Sequence, residues 1–230
     1  MIFKISKKWV LTYPAAYAGV LLMKGVTNPA SHAELDEQKK ALEANLREQF
    51  AGKDRAAIEA LPVIRAYNQY YRTFDKSYHV QLQLESIAFK GKSIPSVAGL
   101  VEAMFMAEVK NMLLTAGHDA AKLKLPVTLN AADGSEQYTL MRGTPQTLKA
   151  GDMFMADQQG VISSILYGPD NRASISAETE RVLFTVYAPS GIEMRQVQSH
   201  LEDIQKNVQV ISPSATIELI RVYGAGDVLE

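Results

Sequence analysis

The chain has 230 residues, 47% of them hydrophobic, so it is long and apolar enough to bury a core of domain size. It contains no cysteine, which excludes disulfide bonds, thiolate catalysis and cysteine-ligated zinc, and which fits a reducing, cytoplasmic location. The formal net charge of −1 excludes a global attraction to nucleic acid, so an RNA partner would be held weakly, by a local patch or through a group that it carries.

The N-terminal segment contains an apolar run at residues 9–23, preceded by three lysines, which imitates a signal peptide. The sequence Thr-Tyr-Pro at residues 12–14 interrupts this run, and no 18-residue apolar span occurs in the chain. We therefore predict two strands joined by a turn. The first lies at residues 3–6, and the second, which is buried on both faces, lies at residues 16–26.

The next segment predicts three helices from its capping residues and apolar spacing. Ser31 is a candidate N-cap for a helix that continues to about Ala51, and a short second helix begins after Asp54. Pro62 begins a third helix that continues to Phe74. The tyrosines and arginine of the third helix favour amphipathic packing over stacking with nucleic-acid bases.

Residues 91–119 form the segment around which the rest of the chain is organised. Pro95 and Ser96 predict a helix start, apolar residues then recur at helical spacing, and Gly117 predicts the helix end. Glu108 lies in the middle of the apolar stripe, where a carboxylate must be paired, protonated or directed at a cavity.

Glu108 is the strongest candidate for a functional residue. Asn111 lies three residues further on and shares its helix face, so the two side chains can belong to one site. In a cavity, Glu108 would accept a hydrogen bond from a ligand ammonium or orient a water molecule, with Asn111 donating beside it. A buried ion pair between helices is an equally open alternative.

His118 and Asp119 follow the predicted helix end and would place an imidazole and a carboxylate at the mouth of the same pocket. The alternative is structural, with Asp119 capping the next turn and His118 at the surface. The four histidines of the chain are too scattered to predict a metal site. The sequence has no phosphate-binding loop, dinucleotide fingerprint or nucleophile elbow, so no metal or cofactor is expected.

The chain after Asp119 consists of short β-prone runs separated by glycine and proline turns, which predicts a region of antiparallel sheet. A last helix is predicted at residues 191–206 and a last strand at residues 216–223. Between Asp119 and this last helix, strands are predicted at residues 126–130, 136–141, 152–156, 160–168, 172–176 and 181–188.

Two motifs flank the central helix: Val101-Glu102 near its start, and Asp-Ala-Ala-Lys-Leu at residues 119–123. Other residues extend the pattern in order over about residues 9–190: Pro14, Tyr17, Gly19, Gly25, Val26, Ala132, Gly134, Glu136, Thr139, Leu140, Gly143, Met155, Ala156, Asp157, Gly160, Val161, Gly168, Ser176, Ala177, Glu178 and Thr179. This ordered set resembles the tRNA-editing module (the B-three/B-four domain) of the phenylalanyl-tRNA synthetase beta subunit. In that family a Val-Asp pair opens a helix, and an Asp-x-x-Lys-Leu run follows at the same distance.

The resemblance implies an α+β fold in which several helices pack on a β-sandwich-like pair of sheets. It also favours a helix for residues 77–90, where alternation from Val80 to Leu84 would admit a strand. Because the resemblance spans the helical and the β-rich parts, and no linker separates them, we expect residues 1–230 to form a single unit.

The resemblance implies a free-standing, editing-like protein that binds aminoacyl-tRNA and hydrolyses a mischarged aminoacyl ester, that is, an aminoacyl-tRNA deacylase. One alternative is a non-catalytic module that binds a tRNA acceptor end or a small amino-acid-like ligand, and another is a structural protein that keeps only the fold. No DNA or membrane partner is expected. RNA binding should be weak and salt-sensitive, because only local basic residues such as Arg72, Lys90 and Lys92 can contact phosphates.

The resemblance also adds three residues to the site, Ser163, Ser164 and Tyr167, on the strand that corresponds to the wall of the editing pocket. Their hydroxyl groups would hydrogen-bond an amino acid or a terminal adenosine, and ordinary cross-strand pairing is the alternative. Departures from the family at Ala98-Gly99, Phe105 and Ile165 would narrow or close that pocket, so the amino acid is not predicted. The predicted site consists of catalytic Glu108 and His118 and substrate-binding Asn111, Asp119, Ser163, Ser164 and Tyr167.

Overall fold

The computed structural model describes residues 2–227 of the chain. Seven α-helices lie in this part of the chain. They are α1 (Lys7–Thr12), α2 (Ala33–Gln49), α3 (Arg55–Glu59), α4 (Pro62–Arg72), α5 (His79–Lys90), α6 (Gly99–Asn111) and α7 (Met194–Ile211).

Eleven strands within the same residues form three sheets. They are β1 (Phe3–Ile5), β2 (Tyr17–Lys24), β3 (Thr115–Asp119), β4 (Val127–Ala131), β5 (Gln137–Thr139), β6 (Pro145–Thr147), β7 (Met153–Asp157), β8 (Gly160–Ser164), β9 (Gly168–Pro169), β10 (Arg181–Ala188) and β11 (Thr216–Tyr223). One sheet has the order β1-β4-β7-β8-β9, the second has the order β11-β2-β10-β3, and β5 and β6 form a separate hairpin.

The two larger sheets share one continuous hydrophobic core with the helices. β2 is buried along most of its length, as predicted, and pairs antiparallel with β10 on one side and β11 on the other. Contacts between the sheets include a hydrogen bond between the hydroxyls of Ser163 and Tyr187 and a ring contact between Phe3 and Tyr223. The predicted α+β class, with helices on a sandwich-like pair of sheets, is confirmed.

The strand predicted at residues 3–6 is present as β1, but the segment after it forms the helix α1 where the sequence predicted a turn. The Ser6 hydroxyl accepts a hydrogen bond from the Trp9 amide at 3.0 Å and so caps the first turn of α1. Trp9 is fully buried, so the beginning of the apolar run at residues 9–23 belongs to the buried face of this short helix. The strand β2 begins only at Tyr17.

The predicted order of the next four helices is correct, including a helix rather than a strand at residues 77–90. The cap of α2 is His32 and not Ser31, because His32 Nδ1 accepts from the Leu35 amide at 3.4 Å. α5 ends at Gly91, whose φ of 64° is a left-handed conformation that glycine adopts without strain.

The helix that carries Glu108 is shorter than predicted at both ends. It begins at Gly99 and ends at Asn111, because Met112 takes the left-handed conformation with a φ of 59°. Gly117, the predicted helix end, lies instead in β3. A Cβ atom on Gly117 would lie 2.8 Å from Ile175 Cδ1, so close packing explains the glycine there.

The β-rich half follows the prediction in outline, but the single strand predicted at residues 160–168 is divided into β8 and β9. Residues 172–176 form no strand, and β3 and β6 are strands that the sequence pattern did not predict. The last helix, predicted at residues 191–206, begins at Met194 and continues to Ile211. Within residues 2–227, none of the helices combines the length and the apolar character that a membrane crossing requires.

Candidate functional site

A cavity of about 330 Å³ lies between α5 and α6 on one side and the edges of both large sheets on the other. Its walls are mostly apolar, and a few polar side chains converge on it, which is the usual composition of a small-molecule site. The residues that line it are His79, Gln83, Val101, Met104, Phe105, Glu108, Leu114, Thr115, Ala116, Gly117, Met141, Ser164, Ile165, Gly168, Pro169, Ser174, Ile175 and Tyr187.

Glu108 lines this cavity and keeps only 2% of its surface exposed. Its Oε1 accepts a hydrogen bond of 2.7 Å from the Thr115 amide, since the left-handed turn at Met112 brings β3 back alongside the end of α6. Among residues 2–227, no basic side chain pairs with this carboxylate, and Oε2 has no hydrogen-bond partner. Burial therefore raises the pKa of Glu108 to about 8, so the group is mostly protonated at neutral pH.

A second glutamate of the same helix, Glu102, forms an ion pair and can be compared with the unpaired Glu108. Glu102 is also buried, but its Oε2 lies 2.5 Å from the Lys39 ammonium, and its Oε1 accepts from the Val97 amide at 2.8 Å. Lys39 is buried as well and contacts Ser96, so this pair joins α2 to the connector before α6. The ion-pair alternative considered for Glu108 is therefore realised by Glu102.

Thr115 connects the cavity to a chain of polar side chains between α6 and α7. Its hydroxyl lies 2.7 Å from Nε2 of His200, and Nδ1 of that ring lies 3.2 Å from the Asn111 amide nitrogen. A hydrogen bond from Asn111 to Nδ1 requires the proton on Nε2, which then donates to Thr115. Asn111 also donates to Asp203 at 2.9 Å, and burial lowers the pKa of His200 to about 3.

Ser164 lines the cavity, as its position on the resembling strand suggested. Its hydroxyl accepts from the Tyr167 amide at 3.1 Å. Ser163 points instead to the core between the sheets, where its hydroxyl lies 2.7 Å from the hydroxyl of Tyr187. The Tyr167 ring does not line the cavity; the ammonium of Lys76 lies 5.2 Å from its centre.

Asp152 is a further buried carboxyl that the sequence analysis missed. It is fully buried, Oδ1 accepts from the Tyr70 hydroxyl at 3.1 Å, and Oδ2 has no partner among residues 2–227. Burial raises the pKa of Asp152 to about 7. It does not line the cavity. In the sequence it is the first residue of the strand predicted at residues 152–156, directly after a glycine, and no pattern there indicates that its side chain is buried.

His118 and Asp119 do not line the Glu108 cavity; they are the last two residues of β3, and only the first three residues of that strand line it. His118 is completely buried, neither ring nitrogen has a partner among residues 2–227, and burial lowers its pKa to about 4. Asp119 caps the following turn by accepting from the Ala121 amide, and it also accepts from the Thr179 hydroxyl. The contacts of Asp119 are therefore those of the structural alternative, in which it caps the following turn.

The structure brings two of the seven predicted site residues, Glu108 and Ser164, to the cavity. The expected joint lining by Glu108, Asn111 and His118 does not form, because Asn111 contacts α7 instead and His118 lies in β3 rather than on an extension of the helix. The polar lining residues that were not predicted are His79, Gln83, Thr115, Ser174 and Tyr187. No group of three or more metal-binding side chains occurs in the described part of the chain.

Comparisons with known proteins identify a fold. No protein-family model matches the sequence, and no curated protein matches it either. Among solved structures, the chain is similar to an N-terminal fragment of the phenylalanyl-tRNA synthetase beta subunit from Pyrococcus horikoshii, with a TM-score of 0.51 and 12% identity. The match covers 94% of this chain and 50% of that chain, so this chain spans half of its length. At this identity the likeness shows the fold alone.

Proposed function

We propose that the protein binds the aminoacyl end of a mischarged tRNA in the Glu108 cavity and hydrolyses the ester. The observation that carries this proposal is a buried, unpaired carboxyl directed at an apolar cavity of about 330 Å³. A buried carboxyl is costly when it is ionised, and even when protonated it lowers stability unless its polar atoms are hydrogen-bonded, so its presence at a cavity favours a function. The resemblance to the editing module, and a neighbour from the same synthetase subunit, support the choice of ligand.

The polar groups of the cavity fit the needs of ester hydrolysis. An aminoacyl ester is cleaved when water attacks its carbonyl carbon, which requires a base for the water proton and donors for the oxyanion. Glu108 is the base in this proposal, because the ionised form of a carboxyl with a pKa of about 8 is a stronger base than an ordinary carboxylate. The Ser164 hydroxyl, on β8, is a candidate donor for the oxyanion in this proposal.

A second candidate is a module that binds the same aminoacyl group without hydrolysing it. Two observations favour it: Glu108 is mostly protonated at neutral pH, and the His118 imidazole lies outside the cavity. A protonated carboxyl in an apolar wall is a good hydrogen-bond donor to a bound ligand but a poor base.

A panel of mischarged tRNAs distinguishes these candidates. The purified protein should release the amino acid from at least one member of the panel faster than spontaneous hydrolysis does. Binding without hydrolysis would instead raise the melting temperature in the presence of the ligand and leave release unaccelerated. If no member of the panel produces either effect, the cavity is not an aminoacyl site.

A further inference from the structure

A chain of four polar side chains leads from the outer side of α7 to the Glu108 cavity. From the outside inward, its members are Asp203, Asn111, His200 and Thr115. At the outer end, the Lys110 ammonium lies 2.9 Å from Oδ2 of Asp203. Burial raises the pKa of Asp203, but the hydrogen bonds from Asn111 and Lys110 outweigh this effect and keep that pKa below its usual value. Asp203 is therefore ionised at neutral pH, and an ionised carboxylate can only accept hydrogen bonds.

The ionised Asp203 determines which way the next two members of the chain face. Its Oδ2 accepts from Nδ2 of Asn111 at 2.9 Å, so the amide nitrogen, and not the amide oxygen, faces α7. The second hydrogen of this nitrogen is available to Nδ1 of His200, 3.2 Å away, and Nδ1 must accept it. His200 is neutral, because burial lowers its pKa to about 3, so its one ring proton is on Nε2. Nε2 then donates to the Thr115 hydroxyl at 2.7 Å.

The Thr115 hydroxyl keeps its own proton for another acceptor. Its oxygen accepts from His200, so its single hydrogen must be donated elsewhere. Within residues 2–227, the remaining acceptor is the Leu113 carbonyl, which lies 3.5 Å away, at the outer limit for a hydrogen bond. Thr115 lines the cavity, and its amide donates to Glu108. This residue therefore brings an available hydroxyl proton to the part of the cavity wall that holds the carboxyl.

We propose that the Thr115 hydroxyl donates a hydrogen bond to the carbonyl oxygen of the ligand in the Glu108 cavity, with His200 and Asn111 as positioning residues. The choice of a carbonyl rests on the proposed function, whereas the direction of the hydroxyl rests on the contacts of the chain alone. A donor that is oriented before the ligand arrives needs no reorganisation when negative charge develops on the carbonyl oxygen. Thr115 is then a donor for the oxyanion in addition to Ser164.

The tautomer of His200 tests the direction of the hydroxyl without any ligand. Protonated and unprotonated ring nitrogens have well-separated nitrogen-15 resonances, so NMR of the labelled full chain at pH 7 shows which nitrogen carries the proton. Loss of the signals in His200→Gln assigns them. We expect the proton on Nε2 in the wild type. A proton on Nδ1 would overturn the proposal, because the Thr115 hydroxyl would then donate to His200 and not to a ligand.

Two asparagine variants separate positioning from packing between α6 and α7. Asn111→Ala should place part of the His200 population in the Nδ1-protonated form, because Nδ1 loses the donor that keeps it unprotonated. Asn207→Ala is the matched control, since Asn207 also joins α7 to α6, by donating to the Ala103 carbonyl at 2.9 Å. The control should leave the proton on Nε2. An equal change of tautomer in both variants would overturn the role of Asn111.

Ligand binding tests the donor itself. The probes are a set of amino acid amides, which carry a carbonyl oxygen, and the matching amines, in which hydrogen replaces the carboxamide. Thr115→Val removes the hydroxyl and keeps the shape, so it should weaken the tightest amide about fivefold, the usual effect of one neutral hydrogen bond, and leave its amine within about twofold. Thr115→Ser should bind the amide as the wild type does. Asn111→Ala should weaken the amide in the wild-type background but not in Thr115→Val, because the two changes affect one contact.

The outcomes for this donor differ from those for the proposed function. Equal weakening of amide and amine by Thr115→Val would overturn the proposal, because a structural loss affects both ligands alike. Amide binding that depends on Thr115, without ester hydrolysis, would reject only the enzymatic reaction. Hydrolysis by a protein whose amide binding does not depend on Thr115 would reject only the donor. If no amide binds, the carbonyl contact is rejected together with the aminoacyl ligand, while the tautomer of His200 still decides the direction of the hydroxyl.

Discussion

Glu102→Gln is expected to lower the free energy of unfolding by about 3 kcal/mol, because it leaves the buried Lys39 ammonium without its main partner. The loss should lie at the lower end of the range for broken buried pairs, since Asp36 remains 3.1 Å from the same ammonium. Chemical denaturation of the wild type and the variant at pH 7 measures this difference.

Glu108→Gln is the matched control, because it makes the same change in the same helix at a carboxyl without an ion pair. It should leave the free energy of unfolding at pH 5 within about 1 kcal/mol of the wild-type value, since the wild-type carboxyl is protonated there as well. In a Lys39→Met background, Glu102→Gln should lower the free energy of unfolding by less than it does in the wild type, because the interaction between the two side chains is already absent. Equal losses for the two glutamine variants at pH 5 would contradict this division of roles.

The second prediction concerns Glu108 in the proposed reaction. Glu108→Gln should slow ester release about 10²–10⁴-fold, the usual contribution of a general base, while the protein stays folded. In the wild type, the rate above spontaneous hydrolysis should rise from pH 6.5 and level off above about pH 8, because only the ionised carboxyl accepts the water proton. A Glu108→Gln variant with wild-type kcat would show that this carboxyl is not the base.

The same variant gives an independent check through stability. The Glu108 carboxyl would ionise near pH 4.5 in the unfolded chain and near pH 8 in the folded protein. Between these values only the folded state keeps the proton, so wild-type stability falls as pH rises through this window and levels off above it. Glu108→Gln should therefore become more stable than the wild type by a few kcal/mol between pH 5 and pH 8, at about 1.4 kcal/mol per unit. The pKa of Asp152 is also raised by burial, but Asp152 is present in both proteins, so its contribution to the difference in stability cancels.

The parts of the fold that local patterns determine were predictable from the sequence. Amphipathic spacing and capping residues gave α2, α3, α4, α6 and α7, and turn residues separated most of the strands. For α5 the local pattern also admitted a strand, and the family resemblance decided in favour of a helix. α1 was missed because a short helix with one buried anchor, Trp9, has too few residues to show a period. Only the structure shows that Ser6 caps it.

Two residues of the candidate site were predictable: Ser164 from the family resemblance, and Glu108 because it violates the pattern of its own helix. Glu108 interrupts an apolar stripe, and that local signal led to the cavity. Asn111 and His118 were grouped with it by sequence distance. Asn111 lies on the same helix but contacts His200 and Asp203 of α7, whereas His118 lies in β3, beyond the reversal of the backbone at Met112. The difference between Glu102 and Glu108 depends on Lys39, a residue more than 60 positions away in sequence, so no local pattern contains it.

Methionine methyl resonances test most directly whether the Glu108 cavity is the ligand site. Met104 and Met141 line the cavity, whereas Met23, Met155 and Met194 lie elsewhere. The protein, labelled at its methionine methyl groups, is titrated with a set of amino acid amides, which keep the ammonium and lack the free carboxylate, as in an ester. We predict that at least one amide shifts the resonances of Met104 and Met141 and leaves the other three unchanged. Saturable binding of an amide that leaves Met104 and Met141 unmoved, or no response to any amide in the set, would contradict the central claim.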